Sequence, residues 1–242
     1  MNYEVITSRN NQKIKDAASY KDGKRDYFLV EGFHMVEMAV TNNLAIAIFT
    51  TKEYRSSVKT YLVNEAVLDK LTSSRCPEGI AALCRKKKEE KITSKRVLLL
   101  DGLADPGNVG TITRSALAFG FLDIVLGPNV VSLYNSKALM ASQGAYFKLN
   151  IIKSKDLCKT ILDLKKENYQ VFGTSLKSSS PLEEVDNSID KMALILGNEG
   201  KGVSEEVLSV TDSNLRIEMD NIDSLNVAMA GAIAMHHFRY LK

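Results

Sequence analysis

The sequence predicts an α/β fold, with a mostly parallel sheet in its C-terminal part and a smaller α/β unit before it. Two observations lead there. Short apolar runs recur along the chain, with helical apolar spacing between most of them. The C-terminal runs, such as Val97–Leu100 and Met192–Ile195, are apolar throughout rather than alternating. Continuous apolar strands interleaved with helices are the pattern of a parallel sheet covered on both faces.

Taken in order, Met1–Tyr20 reads as a polar start followed by a basic helix carrying Lys13 and Lys15. DYFLVEG (Asp26–Gly32) reads as a strand and FHMVEMAV (Phe33–Val40) as a helix. Ala45–Thr51 is a second strand, Asn64–Leu71 a short helix capped by Asn64, and Gly79–Cys84 a third strand. The charged stretch Arg85–Lys95 lacks apolar periodicity and reads as a linker, with a basic contact strip as the other reading. The expected division is therefore 1–85, a linker over 86–95, and 96–242.

In the second part, strands are expected at Val97–Gly102, Asp123–Gly127, Leu149–Ile152, Gln170–Ser175, Met192–Gly197 and Leu215–Met219. A helix is expected over Asp156–Glu167. The last segment, Ser224–Phe238, is a helix rich in Ala and Gly, apolar nearly all the way round. Such a helix is buried on more than one side, either inside a large core or against a second subunit.

The chain has 242 residues, 45% of them hydrophobic, enough for one large domain or two small ones. No apolar run reaches the roughly 18 residues of a membrane span. The N-terminus shows no apolar signal segment, and its mixed charge does not fit a transit peptide. Cys76, Cys84 and Cys158 form no CxxC pair. That suits a reducing, cytoplasmic setting and gives no metal site. Residues 1–95 carry 17 Lys and Arg against 12 Asp and Glu, whereas 96–242 carry 15 against 17. The N-terminal part is thus where a polyanion would dock.

Chemistry concentrates at three corners after apolar runs. The first is DPGNVGTITRSALAFG (Asp105–Gly120). Asp-Pro-Gly reads as a tight turn, Asn108 as a helix cap, and Gly120 as the stop. Arg114 is then a permanent cation on a helix otherwise built for burial. The second corner is LGNEGKGVS (Leu196–Ser204), and the third is EMDNIDSLNVA (Glu218–Ala228). In a parallel sheet all three gather beyond the strands' carboxyl ends. The second is not a Walker A loop, because Ile195 stands where its first Gly belongs and Gly202 where Ser or Thr belongs. No G-x-G-x-x-G follows the first strand of either part. Neither ATP nor a nicotinamide dinucleotide is indicated.

NVGTITR, LGNEGKG and SLNVA, in that order, resemble the three motifs of the SpoU/TrmH family of RNA ribose 2′-O-methyltransferases, in the SPOUT superfamily. SRNNQKIKDAASYKDGKRDYFLVEG and CPEGIAAL resemble that family's N-terminal substrate-binding domain, and SLYNSKALMASQGAYFKL the stretch between its first two motifs. The resemblance covers nearly the whole chain. It implies a C-terminal domain with a trefoil knot, S-adenosylmethionine as cofactor, and methylation of a ribose 2′-hydroxyl. Ribosomal RNA is implied over transfer RNA. It also implies a homodimer through the C-terminal helix.

Carried over residue by residue, the resemblance puts cofactor contacts at Thr174, Leu196, Gly197, Gly200, Ile217, Met219, Leu225, Asn226 and Ala228. Backbone groups of the Gly-rich loop would meet the adenine edge, and Ile217, Met219 and Leu225 its faces. It puts catalytic positions at Arg114, Asn108, Glu199, Ser224 and Asn226. Arg114 has two open roles, proton acceptor or electrostatic clamp; a salt bridge to Glu199 is its plain structural alternative. Ser224 is open between helix cap and site. Glu218 stands where the family often has proline, and Asp220–Asp223 where it often has a Gly-containing turn. His236 and His237 match nothing catalytic and read as surface or interface residues. Two other classes remain open: an RNA-binding protein with a relic cofactor knot, and a dinucleotide oxidoreductase.

Overall fold

A computed structural model describes residues 3–185 and 188–239, so the outermost ends of the expected 1–85 and 96–242 parts lie outside the described residues. The chain forms two compact units.

The first unit contains β1 (Glu4–Ile6), α1 (Gln12–Ser19), β2 (Tyr27–Glu31), α2 (Phe33–Thr41), β3 (Ala45–Thr50), β4 (Thr60–Val63), α3 (Glu65–Leu71) and β5 (Ile80–Arg85). Its sheet runs β1-β4-β3-β5-β2. β1, β4 and β3 are parallel; β5 is antiparallel to β3 and β2. Asn64 caps α3 by accepting from Val67 N at 2.9 Å. Val67, Leu68 and Leu71 on one face of α3 are buried among Ile14, Leu29 and Phe49. β1 and β4 are strands that the sequence reading does not contain; three or four residues are too few to display a period.

The second unit opens with β6 (Arg96–Leu100), α4 (Pro106–Ala118) and β7 (Asp123–Leu126). The chain then returns to the first unit, because Ser132–Phe147, with α5 (Ser136–Ser142), cluster with residues up to 88. The expected single block from 96 to 242 is corrected on this point. The cause is aromatic: Phe28 of β2 meets Tyr134, Tyr146 and Phe147 with ring centroids 5.1, 5.4 and 6.5 Å away. Tyr146 donates to the Tyr134 hydroxyl at 3.0 Å.

From residue 148 the second unit resumes with β8 (Asn150–Lys153), α6 (Leu157–Lys166), β9 (Gln170–Thr174), β10 (Ser180–Pro181), β11 (Met192–Leu196), α7 (Glu205–Leu208), β12 (Ser213–Arg216) and α8 (Val227–His237). All seven strands are parallel, in the order β10-β12-β9-β11-β6-β7-β8. β7 and β11 are buried at every residue, as continuous apolar strands require. α6 lays Leu157, Ile161 and Leu164 on the sheet and is capped by Asp156, which accepts from Lys159 N at 2.9 Å.

Residues 86–95 are not a free linker. Lys86 Nζ donates to Gly23 O at 2.6 Å and lies 4.4 Å over the Tyr134 ring. Asp123 Oδ2 accepts from Thr93 N, Ser94 N and Ser94 Oγ at 3.0, 2.8 and 2.6 Å, and its Oδ1 accepts from Asn150 Nδ2 at 2.6 Å. Buried Asp123 thus pins the end of the charged stretch to the sheet. The desolvation of this carboxylate would raise its pKa, but the bonds from Ser94, Asn150 and Thr93 outweigh it and hold the value below the ordinary one.

The expected strand Leu215–Met219 ends at Arg216, since its pairing with β9 stops at Leu215 and with β10 at Arg216. Ile217 and Met219 are thereby released from the sheet. The helix expected over Ser224–Phe238 starts only at Val227. α8 meets β11 at Gly231, where a Cβ would stand 2.5 Å from Leu196 Cδ1. Ala228, Gly231, Ala234 and Met235 are buried, while Met229 and Ile233 are 60% and 41% exposed. No helix among the described residues is long and apolar enough to cross a membrane.

Candidate active site

The first corner forms differently from the turn that its sequence suggests. Asp105, not Asn108, caps α4, accepting from Asn108 N at 2.8 Å, and Pro106 is the first helical residue. Proline suits that position because its φ is preset and it has no N–H to leave unpaired. Gly120, with φ +78°, ends the helix as expected. The Asn108 side chain, freed from capping, points to the other two corners.

Its Nδ2 donates to Glu199 Oε1 at 3.1 Å, and its Oδ1 accepts from Asn226 Nδ2 at 3.0 Å. Asn226 Oδ1 in turn accepts from Ala228 N at 2.9 Å and Met229 N at 3.4 Å. Asn226 is therefore the cap of α8, and Ser224 is not. One hydrogen-bonded chain thus joins Glu199, Asn108 and Asn226, one residue from each corner. The carboxylate orients the whole chain. Ionised Glu199 only accepts, so Asn108 turns its NH2 toward it and its carbonyl toward the Asn226 NH2.

Glu199 has further donors: Asp105 N at 3.0 Å to Oε1, and Ala104 N at 3.2 Å and Asn198 Nδ2 at 3.4 Å to Oε2. Desolvation would raise the pKa of its carboxyl, but hydrogen bonds from the backbone and the Asn108 amide outweigh this and hold it below the ordinary glutamate value. It is the acceptor that ties the 197–203 loop to the start of α4.

That loop is a closed turn. Asn198 and Gly202 exchange N–H···O bonds of 2.9 and 2.8 Å. Asn198 Oδ1 accepts from Gly200 N and Lys201 N at 3.0 and 3.1 Å, and its Nδ2 donates to Gly102 O at 2.8 Å. A Cβ on Gly197 would lie 2.0 Å from Val203 N, so only glycine permits this closure. The N–H groups of Asn198, Gly200, Lys201 and Gly202 are spent inside the turn.

Beside the turn lies a cavity of about 430 Å³, within the range of small-molecule sites. Of the expected cofactor contacts, Thr174, Gly197, Gly200, Ile217, Met219 and Leu225 line it; Leu196, Asn226 and Ala228 do not. Leu196 is fully buried, with Gly231 of α8 against it, and the Ala228 N–H is held by the Asn226 cap. Ser224 and Glu199 also line the cavity. Thr174 Oγ1 donates to Ile195 O at 2.9 Å, which fixes it at the end of β9.

Several positions escaped the sequence reading. Asp101 Oδ2 accepts from Ser204 N at 2.8 Å, closing the far end of the 197–203 turn. Asn198 organises the turn. Lys177, Lys201 and Arg216 stand at the cavity wall. Glu218, already noted in the sequence as standing where the family often has proline, binds the Arg216 guanidinium at 2.7 Å. Asn198 carried a legible signal, an amide directly before a Gly-containing turn; the others carried none.

Arg114 is not brought to this assembly. It is exposed on α4, does not line the cavity, and makes no hydrogen bond or ion pair among the described residues, so the salt bridge to Glu199 is absent. Six residues separate it from Asn108, about 240° round the helix. His237 is half-buried with Nε2 3.3 Å from Val185 O, and His236 is exposed. Among the described residues no cluster of His, Cys, Asp and Glu is arranged to hold a metal ion.

Comparison with known proteins agrees with this geometry. Residues 95–236 match the SpoU rRNA Methylase family. The 23S rRNA (guanosine(2553)-2′-O)-methyltransferase RlmP of Bacillus subtilis is 35% identical, over 97% of this chain and 98% of its own. An RNA 2′-O ribose methyltransferase of known structure superposes with a TM-score of 0.80 at 25% identity, covering 97% of each chain. The AdoMet-bound rRNA methyltransferase from Sinorhizobium meliloti shares the fold, with a TM-score of 0.84 at 23% identity over 98% of this chain and 97% of that one. With three motif corners joined by one hydrogen-bonded chain beside a small-molecule cavity, this chain belongs to the SpoU rRNA methylase family.

Proposed function

We propose that this chain is an S-adenosylmethionine-dependent methyltransferase acting on a ribose 2′-hydroxyl of ribosomal RNA. The single observation that carries this is the Glu199–Asn108–Asn226 chain, which joins the three family motifs, the second and third of which line the cavity. The substrate class follows the full-length likeness to RlmP, whose name records a 23S rRNA guanosine.

The cavity suits the cofactor. Its wall has an apolar part, Ile217, Met219 and Leu225, to cover a flat ring system, and a glycine turn that keeps side chains clear. When bound, S-adenosylmethionine supplies an electrophilic methyl group on a sulfonium. The protein's own contribution is placement. Thr174 and the 197–203 turn hold one side of the cavity, and the Asn226 cap fixes the start of α8 beside it. Holding a 2′-oxygen in line can be worth roughly 7–11 kcal/mol of barrier.

Arg114 acts in this reading as an electrostatic clamp on the 2′-oxygen or the adjoining phosphate. Its guanidinium offers donors in a planar fork that suits phosphate. The working form is a homodimer through α8, which would cover the exposed Met229 and Ile233. α4 packs beside α8, so such a dimer would carry Arg114 to the partner's cavity. The C-terminal unit is knotted in this reading, which rests on the family match alone. The first unit captures the RNA. The enzyme works in the cytoplasm, a setting suited to its three free cysteines.

The test is transfer of labelled methyl groups from S-adenosylmethionine to ribosomal RNA, with the modified ribose mapped. Arg114→Ala should lower kcat by about 10²–10³ and leave cofactor binding, measured by calorimetry, intact. A full rate in that variant overturns its role; labelling of transfer RNA alone overturns the substrate class.

A further inference from the structure

One edge of the first unit brings ring, backbone and charge together. β2 ends at Glu31, and Gly32, with φ +89°, lets α2 begin at once. Gly32 N donates to Ile80 O at 3.1 Å and Thr51 N to Gly79 O at 2.9 Å, so the ends of β2 and β3 meet the start of β5 here. Phe33 is the first residue of α2. Its N–H is held by Glu78 Oε2 at 2.8 Å, and its ring is 44% exposed. The Tyr54 ring lies beside it, centroids 6.2 Å apart at 48°. Tyr54 is itself fixed, its carbonyl accepting from the Tyr3 hydroxyl at 3.2 Å. Two aromatic rings are thus set in place at the surface by bonds to their backbones.

The charge around them is mixed. Lys52, Arg55 and Arg75 are exposed on the adjoining loops and form no ion pair among the described residues. Four carboxylates lie among them: Glu78 is occupied by the helix start, Glu31 accepts from Ser73 N and Ser74 N, and Glu53 and Glu37, the latter one turn along α2 from Phe33, are exposed.

We propose that this edge is a stacking platform for an unpaired RNA base, with Phe33 and Tyr54 as its faces and the three cations on the flanking phosphates. The proposal rests on the reading that the chain acts on RNA. Every base offers a π-face that an aromatic side chain can cover, and such stacking tolerates any base identity. In a paired helix those faces are already covered, so the platform selects loops and bulges over duplex. The cations add affinity through counterion release.

The test uses the full chain, a fluorescent RNA hairpin with a purine-rich loop, and a fully paired RNA duplex of equal charge. The hairpin should bind more tightly. Phe33→Ala should weaken hairpin binding roughly tenfold, and Phe33→Leu should do so as well, because it keeps apolar bulk without a π-face; Phe33→Trp should not. Removing Arg55 should flatten the salt dependence by about one unit of slope. S-adenosylmethionine affinity by calorimetry should stay unchanged throughout, since the edge belongs to the first unit and the cavity is lined by residues of the second. Unaltered hairpin binding in Phe33→Ala, full binding in Phe33→Leu, or equal binding of hairpin and duplex overturns the platform. So does dissociation of an oligomer in Phe33→Ala, which would assign the edge to a second copy. Loss of cofactor binding in the unaltered chain would count against the methyltransferase reading instead.

Discussion

The bond between Asn108 and Asn226 is open to a double-mutant cycle. Asn226→Ala removes the cap of α8, worth about 1 kcal/mol, and the 3.0 Å amide–amide bond, worth about 0.5–1 kcal/mol. Asn108→Ala removes that same bond and the 3.1 Å donor to Glu199, worth about 1 kcal/mol at a solvent-accessible carboxylate. Each single change should therefore cost about 1.5–2 kcal/mol, and the pair about 0.5–1 kcal/mol less than their sum, since the shared bond is lost once. The chain has no Trp, so urea unfolding is best followed by far-ultraviolet circular dichroism. The relevant transition is the one that S-adenosylmethionine shifts to higher urea. Additivity within about 0.3 kcal/mol would refute the claim that these side chains couple the first and third corners.

Two further outcomes follow from the same geometry. Gly197→Ala should abolish measurable cofactor binding in calorimetry, because the added Cβ would fall 2.0 Å from Val203 N and force the turn open; retained affinity would show that the closed turn is dispensable. Asp123→Asn should destabilise the second unit by about 2 kcal/mol at neutral pH, since three donors from Thr93 and Ser94 lose a charged acceptor. Because the folded pKa of Asp123 lies below its ordinary value, its contribution is complete above an unfolded pKa of about 3.9 and fades as pH falls through the lower folded value. The stability gap between the two proteins should thus be flat from neutrality to about pH 5 and close only in stronger acid.

Much of the second unit was legible because its strands are apolar at every position and long enough to show it. β6, β7 and β11 lie where the runs of Val, Leu and Ile place them. The first unit was less legible: β1 and β4 have three and four residues and owe their existence to pairing with each other and with β3. The return of Ser132–Phe147 to that unit was not legible at all. Nothing local in that stretch says that Tyr134 and Tyr146 will meet Phe28, more than a hundred residues earlier.

The site shows a deeper reason for partial legibility. Asp, Asn, Ser and Gly build turns and caps, and the same residue types build polar sites. Asp105 and Asn108 are both sound caps by type, and so are Ser224 and Asn226. Proline decides the first pair, because Pro106 fits the first helical position and makes Asp105 the cap. Nothing local decides the second pair. There Asn226 both caps α8 and reaches Asn108, 118 positions away in sequence, using an acceptor and a donor on separate atoms of one amide. A residue in the middle of such a chain must donate and accept, which the amides of Asn108 and Asn226 do, whereas Glu199, a carboxylate that accepts but cannot donate, stands at its end.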